Sequence, residues 1–401
     1  MKKELRLNPR LQKMAISQIR AFDQEISDIP DIIKLTLGEP DFATPELVKE
    51  AGIDAIKQNY SHYTGMRGLP ELAEAACAFQ KEHYGLVYDP ATEVLTTVGA
   101  TEALATTLLA VLEKGDIILA PAPAYPGYEP LITMSGAQLV TIDTEESAFI
   151  LTPEQLSAAF LKYGSRVKAV LLNYPNNPTG ATLNATQIHA LAEVIKDYPV
   201  FVISDEIYSE LTYEGQHASI ATYLPEQTIV INGLSKSHAM TGWRIGFIFA
   251  PKEITDELVK VHQYLVTSAS TISQISAITA LTKEKQAGQK MKAAYCTRRD
   301  YLIERLTELG FTPISPKGAF YLFCKYPDAE KLTSVAFCLS LARQAKVACI
   351  PGSAFGPSGE GYIRISYASS LEELAEACSR IEAFLASKNA FEESARPSEH
   401  I

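Results

Sequence analysis

The chain has little sulfur to build with. Six cysteines (Cys77, Cys296, Cys324, Cys338, Cys349 and Cys378) are scattered over 401 residues, with no Cys-x-x-Cys pair and no Cys/His ligand spacing. A disulfide framework and a zinc site are therefore excluded, no metal is expected, and the thiols read as reduced core residues. A basic surplus is missing too. Against 47 Asp and Glu stand 36 Lys and Arg, a formal charge of −11, which excludes a protein that grips nucleic acid or anionic lipid through a positive face. No apolar run reaches bilayer length, and Met1-Lys2-Lys3-Glu4-Leu5-Arg6 lacks the apolar core of a signal peptide. The expectation is a cytoplasmic protein with no membrane part and no nucleic-acid partner. Repeats and low-complexity tracts are also absent. What is present, 47% hydrophobic and 21% charged residues, suits a soluble chain with a large core, in two domains or one with an appendage.

Apolar strands alternate with helical stretches through the middle of the chain. Residues 93–99, 116–120, 138–142, 167–172, 200–205, 228–232 and 243–250 read as strands. Helical spacing falls at 101–112, between 120 and 138, and at 187–196. This predicts an α/β fold with a mostly parallel sheet covered by helices on both faces. Ligands of such sheets bind beyond the carboxyl ends of the strands. Ahead of the sheet, 16–22 reads as a short helix packed on something else. Residues 33–42 are extended up to a Gly-Glu-Pro turn, and helices 45–59 and 70–84 flank a loop. After the sheet, 253–309 reads as a long helical region leaving it. Residues 311–386, with strands 319–323 and 362–366 and two helices, form a smaller α/β domain. The stretch 387–401 is polar and expected to fray.

The chemistry gathers after strand 228–232, in the run from Gly233 to Gly246. There Lys236 lies among small and hydroxylated residues, and Arg244 follows eight positions later. A lysine packed among small groups loses its proton more easily, and its free amine can attack an aldehyde. Arg244 and the Ser235 hydroxyl can hold an anion nearby. An aldehyde and a phosphate on one planar ring describe pyridoxal phosphate (PLP). The plainer alternatives are a surface lysine and a structural ion pair.

Asp205 emerges from a buried apolar strand, where a carboxylate is costly unless paired. It suits a protonated ring nitrogen, with the Tyr208 phenol three residues on, although a helix N-cap explains it as well. Asn173-Tyr174-Pro175-Asn176-Asn177-Pro178-Thr179-Gly180 is a tight turn at another strand end, with room for a cis proline. Gly99-Ala100-Thr101-Glu102 joins a strand to a helix, whose free N–H groups make a ready phosphate site. Arg364 sits mid-strand among apolar residues, where it needs a carboxylate, from the protein itself or from a substrate.

The Gly38-Glu39-Pro40-Asp41 turn, the Asn-Pro-Thr-Gly run at 177–180, the Asp205–Tyr208 pair, the lysine run and Arg364 occur in that order across nearly the whole chain. Together they resemble the signature of class I, aspartate-aminotransferase-like PLP enzymes of fold type I. The resemblance implies a large domain with a mostly parallel, seven-stranded type of sheet and a smaller α/β domain. It divides the chain into an arm with part of the small domain (1–44), the PLP-binding domain (45–285), the small C-terminal domain (286–390) and a disordered tail (391–401). It implies that Lys236 bonds the cofactor, that Asp205 faces the ring nitrogen, and that Tyr208 and Asn177 face the ring oxygen. Tyr125 would stack on the ring. Gly99, Ala100, Thr101, Ser235 and Arg244 would hold the phosphate, with Ser235 serving where some relatives use a serine at the position of Gly233. Tyr63 would reach the phosphate of the neighbouring subunit, in a homodimer with shared active sites. Gly38, Asn177 and Arg364 would bind the substrate α-carboxylate.

The implied activity is ping-pong transfer of an amino group from an amino acid to a 2-oxo acid. No cation dedicated to a second carboxylate stands out in the first-half motifs, while Ile16, Tyr63, Met66, Tyr125, Tyr128 and Phe320 could line an apolar cavity. The chain resembles both bacterial aromatic aminotransferases and N-acetyl-L,L-diaminopimelate aminotransferases. An aromatic amino acid (Phe, Tyr or Trp) with 2-oxoglutarate as acceptor is the expected pair. N-acetyl-L,L-diaminopimelate is the alternative, and a carbon–sulfur β-lyase a further one. A PLP-dependent DNA-binding regulator is disfavoured by the charge and by the lack of a helix-turn-helix extension.

Overall fold

The computed structural model describes residues 7–395 apart from Ala15 and Asp328. Its centre is a seven-stranded sheet in the order Val94–Thr97, Gly246–Phe249, Thr228–Gly233, Phe201–Asp205, Val167–Asn173, Ile117–Ala122, Gln138–Asp143. All pairings are parallel except those of Gly246–Phe249, which runs against both neighbours. The inner strands are buried on both faces, and successive residues go to different cores. Val170, Leu172 and Val202 pack with Leu156, Phe160, Ile188 and Leu191 on one side. Leu171, Ile203 and Ile231 pack with Leu104, Leu108, Ile132 and Leu258 on the other. That period-2 division is why these strands read as continuous apolar runs.

Two helices on the first face are started by reciprocal caps: Thr152 with Gln155 begins Pro153–Tyr163, and Asn184 with Gln187 begins Ala185–Ile195. The first of these has no counterpart in the sequence reading, although Thr152-Pro153-Glu154-Gln155 carries the capping-box spacing.

A four-stranded antiparallel sheet, Ile350–Pro351, Tyr362–Ser366, Tyr321–Lys325, Thr312–Ile314, lies apart from the first. Its core takes in Phe22, Ile26, Ile33 and Leu35 from the start of the chain. There Ile33–Lys34 pairs in parallel with Val347–Ala348.

The region 253–309 is three helices. Lys252–Leu265 and Thr271–Lys283 stay on the large sheet's side, through Leu258 and through Ala277, Ala280 and Leu281. Only Ala287–Glu308 crosses, with Met291, Tyr295, Leu302 and Leu306 in the small sheet's core. The last helix runs from Leu371 to Ala395, so it covers 391–395 of the stretch expected to be a tail; residues 396–401 lie outside those described. Among the described residues no helix is long and apolar enough to cross a membrane, and no cluster of His, Cys, Asp and Glu could hold a metal.

Candidate active site

The strand Thr228–Gly233 runs straight into the short helix Leu234–Ser237, and Lys236 projects from it. The backbone is close-packed at Gly233, where a Cβ would lie 2.9 Å from the Ile245 carbonyl in this chain. Lys236 is half-buried, donates to the Gly38 carbonyl, and stands 6.0 Å and 5.8 Å from the ring centres of Tyr208 and Phe320. Burial, aided by the charges of Arg364 and Arg244, lowers its pKa to about 8, against the pull of Glu39 and Asp205. Such an amine is partly free of its proton near neutral pH.

Asp205 ends its strand fully buried. Its carboxylate accepts from the Tyr128 hydroxyl at 2.7 Å and the Ile207 amide at 3.3 Å, and no cation bonds it among the described residues. Burial therefore pushes it up to about 6 in spite of those two bonds. The Tyr208 hydroxyl lies 2.8 Å from that of Tyr321, and burial raises the Tyr208 pKa. The neighbouring turn is tied to Asp205 by Asn173, whose amide donates to the Asp205 carbonyl at 2.9 Å and whose oxygen receives the Asn177 amide at 3.1 Å. Two bonds in this turn, Tyr174–Pro175 and Asn177–Pro178, are cis.

Arg364 comes from the other sheet. It donates to Asn177 Oδ1 at 3.0 Å and to the Thr36 carbonyl at 2.8 Å, with its guanidinium 4.3 Å from the Tyr321 ring centre and 5.1 Å from that of Phe355. Both acceptors are neutral, Nε has no partner among the described residues, and the side chain is buried. The in-chain carboxylate weighed as one explanation is not there among the described residues.

The junction expected to hold a phosphate is close-packed. Helix Gly99–Val111 starts with Gly99 at φ +73°, and a Cβ on it would lie 2.4 Å from Arg244 Nη2. A Cβ on Gly246 would lie 2.7 Å from the Ala100 amide nitrogen. The expected strand start at 243 is instead a 3₁₀ turn, Thr241–Trp243, followed by Arg244 in a left-handed conformation at φ +56°. That turn swings the guanidinium onto the helix start, where the first-turn N–H groups of Ala100 and Thr101 lie. Arg244 donates to the Thr241 carbonyl at 2.9 Å and makes no ion pair among the described residues. Ser235 is buried in the lysine helix.

Tyr125 packs edge-on to Tyr128 at 5.3 Å and feels the charges of Asp205, Arg364 and Arg244. Tyr63 is the exception. It is 85% exposed and touches none of these groups within the chain. Nor do the six residues offered as an apolar cavity assemble into one. Tyr128 and Phe320 are core, while Ile16 and Met66 are exposed.

Tyr321, Thr36 and Phe355 have no counterpart in the sequence reading because they reach the site from other elements, and Tyr128, read there as cavity lining, instead bonds Asp205. Nor does that reading single out Arg20, an exposed cation whose charge acts on Tyr125. One signal was available for it. Ile19 and Phe22 of Gln18–Glu25, with the cap residue Ile26, pack on the small-sheet core, which turns Arg20 away from that core.

The described residues thus hold a buried carboxylate without a cation, a buried guanidinium without an anion, and a glycine-floored helix start under a second guanidinium. An amine with a lowered pKa stands among them. PLP fits this set: a ring nitrogen for Asp205, a phosphate for the Gly99–Arg244 cradle, an aldehyde for Lys236. Fold and site together define a PLP-dependent enzyme of fold type I. The sequence profile described as "Aminotransferase class I and II" matches residues 30–381, and the chain belongs to that family. It is 44% identical, over 95% of its length and 96% of the relative's, to a Bacillus subtilis protein named "Probable N-acetyl-LL-diaminopimelate aminotransferase". Among solved structures it matches the aromatic aminotransferase of Pyrococcus horikoshii at 38% identity and a TM-score of 0.86, covering 92% of this chain and 99% of that one. It matches the Thermus thermophilus aspartate aminotransferase with maleate at 35% identity and a TM-score of 0.90, covering 95% and 100%. The protein is a PLP-dependent aminotransferase, and its substrates are an amino acid and a 2-oxo acid.

Proposed function

We propose that the amino donor is N-acetyl-L,L-diaminopimelate, whose amino group passes to 2-oxoglutarate; in the reverse direction glutamate supplies the amino group to the corresponding oxo acid. The observation that carries this choice is the 44% identity, over 95% of the chain, to the Bacillus subtilis relative of that name. It displaces the aromatic expectation, whose support is weaker: 38% identity to the Pyrococcus horikoshii enzyme, and candidate lining residues of which Tyr128 and Phe320 are core. The ligand's chemistry agrees. A pimelate carries a second carboxylate at its far end, and Arg20, exposed near Tyr125 and without an ion pair among the described residues, is a cation to meet it.

In this reading Gly99, Ala100, Thr101, Ser235 and Arg244 hold the phosphate, Asp205 the ring nitrogen, and Tyr208 and Asn177 the ring oxygen, with Tyr125 on the ring face. When bound, PLP supplies an aldehyde carbon for amines and a ring that accepts the electron pair left at the substrate's Cα. Arg364, with Asn177 and the Gly38 backbone, holds the α-carboxylate and fixes which bond at Cα stands toward Lys236. Lys236 Nζ, lowered to about 8, takes the Cα proton as general base. Asp205, buried and without a cation of its own, keeps the ring nitrogen protonated. Tyr63, exposed on its loop beside Tyr60 and Met66, serves the phosphate of a second copy in a homodimer.

A half-reaction screen tests the substrate. Holoenzyme is mixed with single amino acids, including N-acetyl-L,L-diaminopimelate, and bleaching of the visible band of the lysine-bound cofactor is followed. Fast bleaching with the acetylated diamino acid and slow bleaching with Phe, Tyr and Trp is expected. The reverse order restores the aromatic reading, and thiol release from cystathionine would make the enzyme a lyase.

A further inference from the structure

Beneath the lysine helix lies a group of buried polar side chains that the transfer chemistry does not touch. Glu210, in the turn Ser209–Leu211, is 7% exposed, accepts from the Tyr84 hydroxyl and pairs with His83 Nδ1 at 3.0 Å. Burial opposes its charge, but the bonds from His83 and Tyr84 outweigh burial and hold the carboxyl below its usual range. The Tyr84 hydroxyl also lies 2.8 Å from Ser209 Oγ, which accepts from Asn232 Nδ2 at 3.1 Å. Asn232 Oδ1 accepts in turn from the Gly233 amide at 2.7 Å. An unbroken path therefore joins helix Pro70–Tyr84 to the strand end from which Lys236 springs. The same path passes through the turn that directly follows Asp205 and Tyr208. From the opposite side Gly288 admits the helix Ala287–Glu308, since a Cβ there would lie 2.9 Å from Glu210 Cβ.

Two acceptors in this group, Gln80 Oε1 and Glu210 Oε2, are buried with no protein partner. Both residues line a cavity of about 20 Å³ together with Asn232, Gly233, Leu234 and Ser237. That is room for one water, whose two hydrogens match the two acceptors. An acceptor left without a donor at such a depth is costly.

We infer that Glu210 is a positioning residue for the aminotransferase site. Through Tyr84, Ser209 and Asn232, and through one water shared with Gln80, it fixes the turn of Lys236 against the turn of Asp205 and Tyr208. The inference rests on the roles proposed above for those three residues.

The test compares holoenzymes carrying Glu210→Leu, Tyr84→Phe and Gln80→Met, with Lys236→Ala alongside. A slight misplacement of a reacting group costs rate and spares binding, so kcat is expected to fall about tenfold in Tyr84→Phe with KM within about twofold. Amide exchange should quicken at 232–237 ahead of the rest of the large sheet, and a high-resolution crystal structure should show the water. Gln80→Met, which removes one side of the bridge only, should follow with a smaller loss, and it serves if Glu210→Leu does not fold. Wild-type kcat in folded Tyr84→Phe, or exchange that quickens uniformly, overturns the positioning role; an unhydrated cavity overturns the bridge. If Lys236→Ala remains active, the site assignment itself fails. If Lys236→Ala is inactive while Tyr84→Phe matches wild type, only the positioning inference fails.

Discussion

The two sheets supply the site in opposite ways. The large sheet offers groups from strand ends: Gly99 after Val94–Thr97, Asn177 after Val167–Asn173, Asp205 closing Phe201–Asp205, and Lys236 after Thr228–Gly233. The small sheet offers Arg364 from the middle of a strand, clamped between the rings of Tyr321 and Phe355 and held by Asn177 and Thr36. A strand end leaves backbone N–H groups and short side chains pointing outward, which suits a phosphate and a ring. A strand interior gives rigidity and a single orientation, which suits the grip on one carboxylate. On the proposed reading, the cofactor falls to the first sheet and the substrate's common end to the second.

The sharpest way to break that division is at Lys236. Lys236→Ala should cost on the order of 10⁴-fold or more in turnover with every amino acid, because general base and covalent attachment are lost together. Transamination at wild-type rate in that variant would remove the first sheet from the chemistry. Asp205→Asn comes next, with a loss on the order of 10³-fold in kcat, as for other groups that stabilise charge in a closed site. It has a second signature of opposite sign in the apoprotein. The carboxyl is raised from 3.8 to about 6 by burial, so the folded state holds the proton more tightly than the unfolded one. The cost of burying the charge sets in as pH rises through that window and is complete above it, at about 3 kcal/mol. Apo Asp205→Asn is therefore expected to be more stable than wild type above about pH 6 and nearly equal below about pH 4, by denaturant melts at both pH values. Equal stability at both would mean that Asp205 has a cation after all.

Arg364→Ala tests the other sheet. It should lower kcat/KM about 10² to 10³-fold, chiefly through KM and alike for every amino acid, since all share the α-carboxylate. A loss confined to one substrate would make Arg364 a reader of side chains and erase the division of labour.

How much of this was legible depended on whether a residue's purpose is local. Lys236 and its small neighbours stand in one run, so their chemistry is visible without a fold. Arg364 betrays itself because a charge inside an apolar strand has no cheap explanation, and Asp205 draws notice at the end of one, although an N-cap would account for it too. Tyr128, Tyr321 and Thr36 gave no such sign, since each is ordinary in its own segment and meets Asp205, Tyr208 or Arg364 only across the fold. The Trp243-to-Ala250 run reads as one strand because its residues are nearly all apolar or aromatic. The left-handed turn at Arg244 arises from packing Gly246 onto Gly99, a contact 147 residues apart in sequence.

The smallest predicted effect probes the region where the two halves meet. Arg20 belongs to the helix Gln18–Glu25, whose Phe22 is anchored in the small-sheet core, yet its charge acts on Tyr125 beside the large sheet. It is exposed, so an ion pair with a substrate carboxylate would be screened and worth about 1 kcal/mol. Arg20→Ala should therefore lower kcat/KM several-fold, up to about tenfold, for substrates with a second carboxylate and leave phenylalanine within about twofold. The difference should shrink as salt is raised, because exposed charges are screened first. A loss shared equally by phenylalanine would mean that Arg20 supports the helix or the closure of the site, and reading of the distal end would pass to groups other than this cation.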